Sequence, residues 1–231
     1  MMTAPGFFAG TGVAELERNT SWYTRTTSNA LVTSDARPIG AASATRKVYA
    51  LISAELGLVS PGPATLNSVT IGGISAAIEV QHNNGDDIIL AIASATVPTG
   101  SAAVVVATFS HAVRSVMVGC IALDNLQGGG TAHDTASTEE AEPLQLSMDF
   151  PANGYGIFLS RRSSSINVIP NCSWTGATEF FEQYFEDEDD GDLFYEPTSA
   201  AYVPKQSGNG VSIQASWGEN DSNTMVGLTV G

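Results

Sequence analysis

Leu66-Asn67-Ser68-Val69-Thr70-Ile71-Gly72-Gly73 carries the first decisive signal in the chain. Apolar and polar residues alternate up to Ile71, the period of a strand with one face buried. Gly72-Gly73 then offers the positive φ that a tight reversal requires, so Ile74–Gln81 is predicted to return as the hairpin partner. The same grammar spreads in both directions. Upstream, Val48-Tyr49-Ala50-Leu51-Ile52-Ser53-Ala54 is a short, uninterrupted, β-rich run, and Leu58–Pro63 reads as a Pro/Gly turn. Downstream, Asn83-Asn84-Gly85-Asp86 and Pro98-Thr99-Gly100 punctuate strands predicted at Ile88–Thr96, Ala102–Phe109 and Arg114–Leu123.

The second half continues in this manner with weaker punctuation. Gln127–Glu142 reads as a loop containing three consecutive glycines and an acidic patch. Pro143–Phe150 and Tyr155–Arg162 read as a hairpin turned by Pro151-Ala152-Asn153-Gly154. Cys172–Phe185 is aromatic-rich, and Glu179–Glu186 within it suits either a short helix or a strand edge. Tyr195–Val203, Val211–Trp217 and Thr224–Val230 close the chain as strands. Strands that recur every ten to fifteen residues, with almost no helical period between them, predict an all-β antiparallel sandwich, jelly-roll-like, over residues 46–231. Parallel strands would need crossover helices that the text does not supply. Residues 1–45 lack a sustained period and read as an extended N-terminal arm, apart from Val13–Arg18, which suits one helical turn.

Charge divides the chain in the same place. Of the 231 residues, 24 are acidic and 9 basic. Residues 1–47 hold Arg18, Arg25, Arg37, Arg46 and Lys47 against Glu15, Glu17 and Asp35, which leaves four basic residues against 21 acidic ones in the remainder. A body this negative repels nucleic acid and anionic membranes. A weakly positive arm ahead of it suggests docking on an acidic partner, a sister copy included, although a merely solvated arm accounts for the same charges. Phe7, Phe8, Trp22 and Tyr23, with Arg18 and Arg25, are the arm's candidate anchors, because aromatics bury large area in a partner's pocket. Folding back on the arm's own domain would use the same side chains. No basic and apolar leader opens the sequence, and no apolar run approaches a membrane span, so the expectation is a soluble protein made in the cytoplasm.

Little in the sequence points to catalysis. Two cysteines, Cys120 and Cys172, make no disulfide framework. His82, His111 and His133 have no metal-ligand spacing. Gly128-Gly129-Gly130 is not followed by Lys-Ser/Thr and is no phosphate loop, and no Gly-x-Ser-x-Gly elbow occurs. A glycan hydrolase would need two carboxyls, one raised in pKa by an apolar pocket. Asp149, Glu179 and Glu182 are the acids set among aromatics. The run Glu186-Asp187-Glu188-Asp189-Asp190-Gly191-Asp192 is the candidate calcium site, through Glu186, Glu188, Asp190 and Asp192, since calcium takes several carboxylate oxygens on a flexible loop. Pro197 stands where an EF-hand requires its bidentate Glu, so it is not an EF-hand, and a solvated charge run fits equally. No other cofactor is implied. Trp174, Tyr184, Phe185 and Tyr195 surround the run and are candidates for a glycan or protein contact, or for the edge of the core.

Lys47–Asn125 resembles β-sandwich domains of tailed-phage virion proteins and gene-transfer particles. The resemblance rests on Leu66–Gly73, on Ala95-Thr96-Val97-Pro98-Thr99-Gly100, and on Val104-Val105-Val106-Ala107-Thr108-Phe109-Ser110. Pro151-Ala152-Asn153-Gly154 is similar to a later Pro-Ala-Gly-Gly element of that family, with Asn in place of one Gly, and the Ser212–Val230 hairpin also fits. The likeness covers about three-quarters of the chain and brings no catalytic signature. It implies a non-enzymatic structural protein of the virion, assembled in a host cytoplasm. Decoration of the capsid exterior through the arm, bound to coat proteins and sister copies, is the leading expectation. A head-spike or tail protein that recognises a host surface glycan is the alternative.

Overall fold

The computed structural model describes residues 16–18, 23–56, 64–84, 88–126, 128–130, 132–139, 142–162, 171–189, 192–218 and 223–231; at 16–18, 23–28, 185–189 and 192–196 the description covers the backbone. Their regular structure is entirely β, in two antiparallel sheets. The first contains β1 (Leu16–Arg18), β2 (Tyr23–Pro38), β3 (Lys47–Leu56), β4 (Leu66–Ile71), β5 (Ile74–Asn83), β6 (Ile88–Thr96) and β7 (Ala102–Leu123). The second contains β8 (Ala132–Glu139), β9 (Leu144–Arg162), β10 (Ser173–Thr175), β11 (Thr178–Asp189), β12 (Asp192–Ser216) and β13 (Asn223–Val230).

The predicted hairpin is present, with Val69 opposite Ala76 and Ile71 opposite Ile74 across Gly72 (φ 60°) and Gly73 (φ 79°). What the sequence reading did not anticipate is closure. The two strands expected around His111 are one strand, β7, whose first half pairs with β4 and whose second half pairs with β3. With β3–β6, β6–β5 and β5–β4 also paired, five strands close into a barrel rather than forming one leaf of an open sandwich. Its interior is lined by Val48, Ala50, Ile52 and Ala54 of β3, Ala91, Ala93 and Ala95 of β6, and Val105, Ala107 and Phe109 of β7. A barrel of so few strands is narrow, and the alternation of alanine with larger residues fills it without overpacking.

The N-terminal segment is built onto this barrel. Residues 16–18 are strand, not the helical turn expected there, and pair with Leu123, Ala122 and Ile121 of β7. β2 runs antiparallel to both halves of β7, and Val32 and Ile39 join the barrel core. Arg46, counted at sequence level among the arm's docking charges, is buried. Its Nε donates to Val97 O (2.9 Å), Nη1 to Gly40 O (2.9 Å) and Ala41 O (2.6 Å), and Nη2 to Thr99 O (2.8 Å) and Gly100 O (2.9 Å). The guanidinium clamps the end of the N-terminal segment to the β6–β7 turn.

β3, β6 and the second half of β7, from Ser115 to Leu123, are buried on both faces. Their outward residues Tyr49, Leu51, Leu90, Ile92, Met117 and Ile121 pack on Tyr155, Ile157, Leu159, Val226 and Leu228 of the second sheet. At one end of this seam the contact turns polar. Fully buried Arg161 donates to Ser53 Oγ (3.2 Å) and Ser115 Oγ (3.3 Å) and lies 3.7 Å from Glu55, which also pairs with Arg114 at 3.7 Å. Ser53 Oγ meets Thr198 Oγ1 at 3.1 Å.

Two further expectations are corrected in the second sheet. Pro151–Gly154 does not reverse the chain, because β9 continues through it, bent where Asn153 takes φ 56°. Both halves of β9 pair with β12 instead of with each other, and the register slips opposite the bend, between Val203 and Val211. The far face of the bent sheet buries a third apolar cluster around Phe158, Leu146, Met148, Ile213, Trp217 and Met225. Gln127–Glu142 is also not simply a loop, since Ala132–Glu139 forms the edge strand β8 on β13.

Candidate functional site

The region that gathers the most chemistry is the edge formed by β10, β11 and β12. Residues 179–186, ambiguous in sequence between helix and strand, are strand. Glu179 lies opposite Ala201 and Phe181 opposite Ala200, so Phe180 is an extra residue, a β-bulge. In a regular strand, residues three apart face opposite ways. The bulge cancels that rule and sets Glu179 and Glu182 on one face of β11. Phe180 and Phe181 go to the other side, where they pack on the core between barrel and sheet, and Phe180 meets Tyr202 edge-on at 6.1 Å. The acids and aromatics adjacent in sequence are thus divided between two faces.

The Glu182 face holds its own polar network. Glu182 Oε1 accepts the Cys172 amide (3.2 Å) at the start of β10. Trp174 of β10 donates from Nε1 to Ser199 Oγ (2.7 Å), and Ser199 donates to Phe181 O (3.3 Å). The Trp174 ring leans on Phe158 at 6.5 Å, so one side of the indole belongs to the core. Tyr184, two residues beyond Glu182, is 42% exposed. Burial, then the charge of Glu182, raises Glu179 from 4.5 to about 7. Burial also raises Glu182, against the lowering effect of the Cys172 amide and of Glu179. The Cys172 thiol is pushed up by burial and further by the nearby acids, so it is no nucleophile at neutral pH.

Two carboxyls on one face of β11 suit accepting hydroxyl donors. Asp149 is committed elsewhere, accepting Gly210 N at 2.8 Å.

The remaining sequence candidates are dispersed. Phe7, Phe8 and Trp22 lie outside the described residues; Arg18 is in β1, opposite Ile121, and Tyr23 and Arg25 are in β2, opposite Val118 and Val116. Phe185 is paired with Glu196 and Tyr195 with Glu186, in a two-stranded ribbon whose register runs to Asp189 opposite Asp192. The calcium candidates Glu186 and Glu188 are in β11 and Asp192 is in β12, while Asp190 lies outside the described residues. Residues 186–189 of the acidic run, expected on a loop, are strand. Among the described residues no three potential metal ligands are gathered. His82, unassigned at sequence level, bonds Glu139 Oε2 at 2.9 Å and ties β5 to β8.

No family model matches the chain, and no curated protein matches it.

Proposed function

We propose that this protein is a non-enzymatic structural component of a tailed-phage-like particle, fixed to the capsid exterior through its N-terminal segment. The observation that carries the reading is β2. It is 16 residues long, lies outside the closed circuit of the barrel, and has β7 as its only strand partner among the described residues. Such an edge can take a strand from a coat protein or a sister copy. Leu31, 58% exposed on β2, adds apolar area to that edge. The strongly acidic composition supports an outward-facing position away from packaged DNA. The packing of barrel on sheet is taken as a variant of the sandwich seen in the virion proteins that Lys47–Asn125 resembles.

Because Val32 and Ile39 are core residues, removal of the whole 1–45 segment would test folding rather than attachment. Leu31→Lys changes only an exposed side chain on the β2 edge. The variant is expected to fold, and its recovery on gradient-purified particles to fall at least about tenfold, which corresponds to about 1.4 kcal/mol of lost attachment. Undiminished recovery would end the anchoring reading. The second reading, recognition of a host surface glycan, draws on exposed Tyr184, two residues along β11 from Glu182. It requires saturable glycan binding that Tyr184→Ala removes.

A further inference from the structure

We propose that the outer edge of β2 is a dimer interface, pairing antiparallel with β2 of a second copy of this chain. The inference rests on the reading of β2 as the attachment edge and names what meets it. Among the described residues, β2, β8 and β11 are each paired along one side only. Such edges invite pairing with another chain unless charge or cover blocks it. β8 carries Asp134 and Glu139, and β11 carries Glu179 and Glu182, so both of these edges bear acids. The described side chains of β2, residues 29–38, differ. Their only charges are Asp35 and Arg37, which pair with each other at 3.6 Å near the end of the strand. Upstream of that pair the edge presents Leu31, 58% exposed, and exposed Thr33.

The sheet behind this edge is uncharged as well. Leu31 lies opposite Thr108, which lies opposite Ser68, and Thr33 lies opposite Val106, which lies opposite Thr70. Val32, Ala107 and Val69, between the two rows, face the barrel core, so both rows are on its outside. With 24 acidic and 9 basic residues per chain, two copies repel each other wherever their acids meet. An uncharged edge backed by an uncharged face is where a second acidic copy approaches at the lowest electrostatic cost. A cationic partner would be drawn to the acid-bearing edges instead. Antiparallel pairing of a strand with its own copy is also self-complementary, so a twofold axis closes it as a dimer, with Leu31 and Thr33 of one copy beside those of the other.

Sedimentation velocity of the purified protein, without particles, tests the interface. A monomer–dimer equilibrium is expected that tightens as sodium chloride rises from about 0.05 to about 0.5 M, because salt screens the repulsion between the two acidic bodies. Leu31→Glu sets two carboxylates against each other near the twofold axis and should weaken the dimer at least about tenfold. Ser137→Glu adds the same charge at an exposed position of β8 and should leave the dimer unchanged. A protein that stays monomeric at every concentration and salt overturns the proposal, as does a dimer that salt weakens or one on which the two substitutions act alike. Any of these results leaves attachment to a coat protein standing, whereas a Leu31→Lys variant that loses the dimer yet is fully recovered on particles ends the attachment reading alone.

Discussion

Single side chains in this molecule do the work that loops and turns leave undone. Arg46 is the clearest case. Five carbonyl oxygens from two segments converge on one guanidinium that is 2% exposed. A lysine carries the charge without the planar fork and cannot reach them all. Arg46→Lys is expected to cost about 3 kcal/mol in chemical denaturation, because buried carbonyls are left without donors. A second case is steric. A Cβ at Gly227 would stand 2.5 Å from Phe158 Cδ1 and 2.7 Å from Cε1, so the strand is smooth there to seat a ring. Gly227→Ala should lose about 2 kcal/mol by overpacking. Phe158→Leu in the same chain should recover part of it, and a double-mutant cycle reads the coupling.

At the scale of elements, the barrel and the bent sheet solve the same problem with long strands. β7 and β9 each run through a place where the sequence suggests a stop, and each serves different partners, or different parts of one partner, with its two halves. Continuity through a bend lets one strand close a barrel without an extra connection, but it makes the interior tight. Ala93 of β6 is fully buried inside the barrel. Ala93→Leu is expected to destabilise by about 2 kcal/mol in urea unfolding, since the closed wall cannot expand for added methylenes. The same change on an open sheet would be absorbed by a small shift of the facing layer. β8 shows the opposite economy. It alternates between half-buried and exposed residues, carries no large apolar side chain, and owes its place to backbone pairing with β13.

For the whole molecule, the decisive contact is the seam between barrel and sheet. It is apolar along most of its length and ends in the Arg161–Glu55–Ser53–Ser115–Thr198 network. Arg161→Met alone should cost about 3 kcal/mol, because it leaves Glu55 beside a dry interface without its inner partner. Arg161→Met combined with Glu55→Leu should restore much of the loss, since a buried ion pair is often replaceable by apolar groups of similar size. Equilibrium denaturation of the two variants checks this, and if the network instead fixes the alignment of the layers, the double variant will melt with lower cooperativity.

What the sequence by itself determined is local. The period of Leu66–Ile71, the glycines after it, and the β-branched runs of β3, β6 and β7 fix strands and hairpins because side-chain alternation and turn chemistry act over a few residues. The weakly apolar text of Ala132–Glu139 concealed a strand because an edge strand needs only a neighbour's backbone. Glu179 and Glu182 were legible as acids among aromatics, but their placement on one face was not. It depends on a bulge that appears only when β11 is set in register against β12. Closure of the barrel, the capture of Arg46 and the burial of Arg161 likewise belong to the tertiary structure, because each depends on groups far apart in the chain whose meeting no short-range pattern encodes.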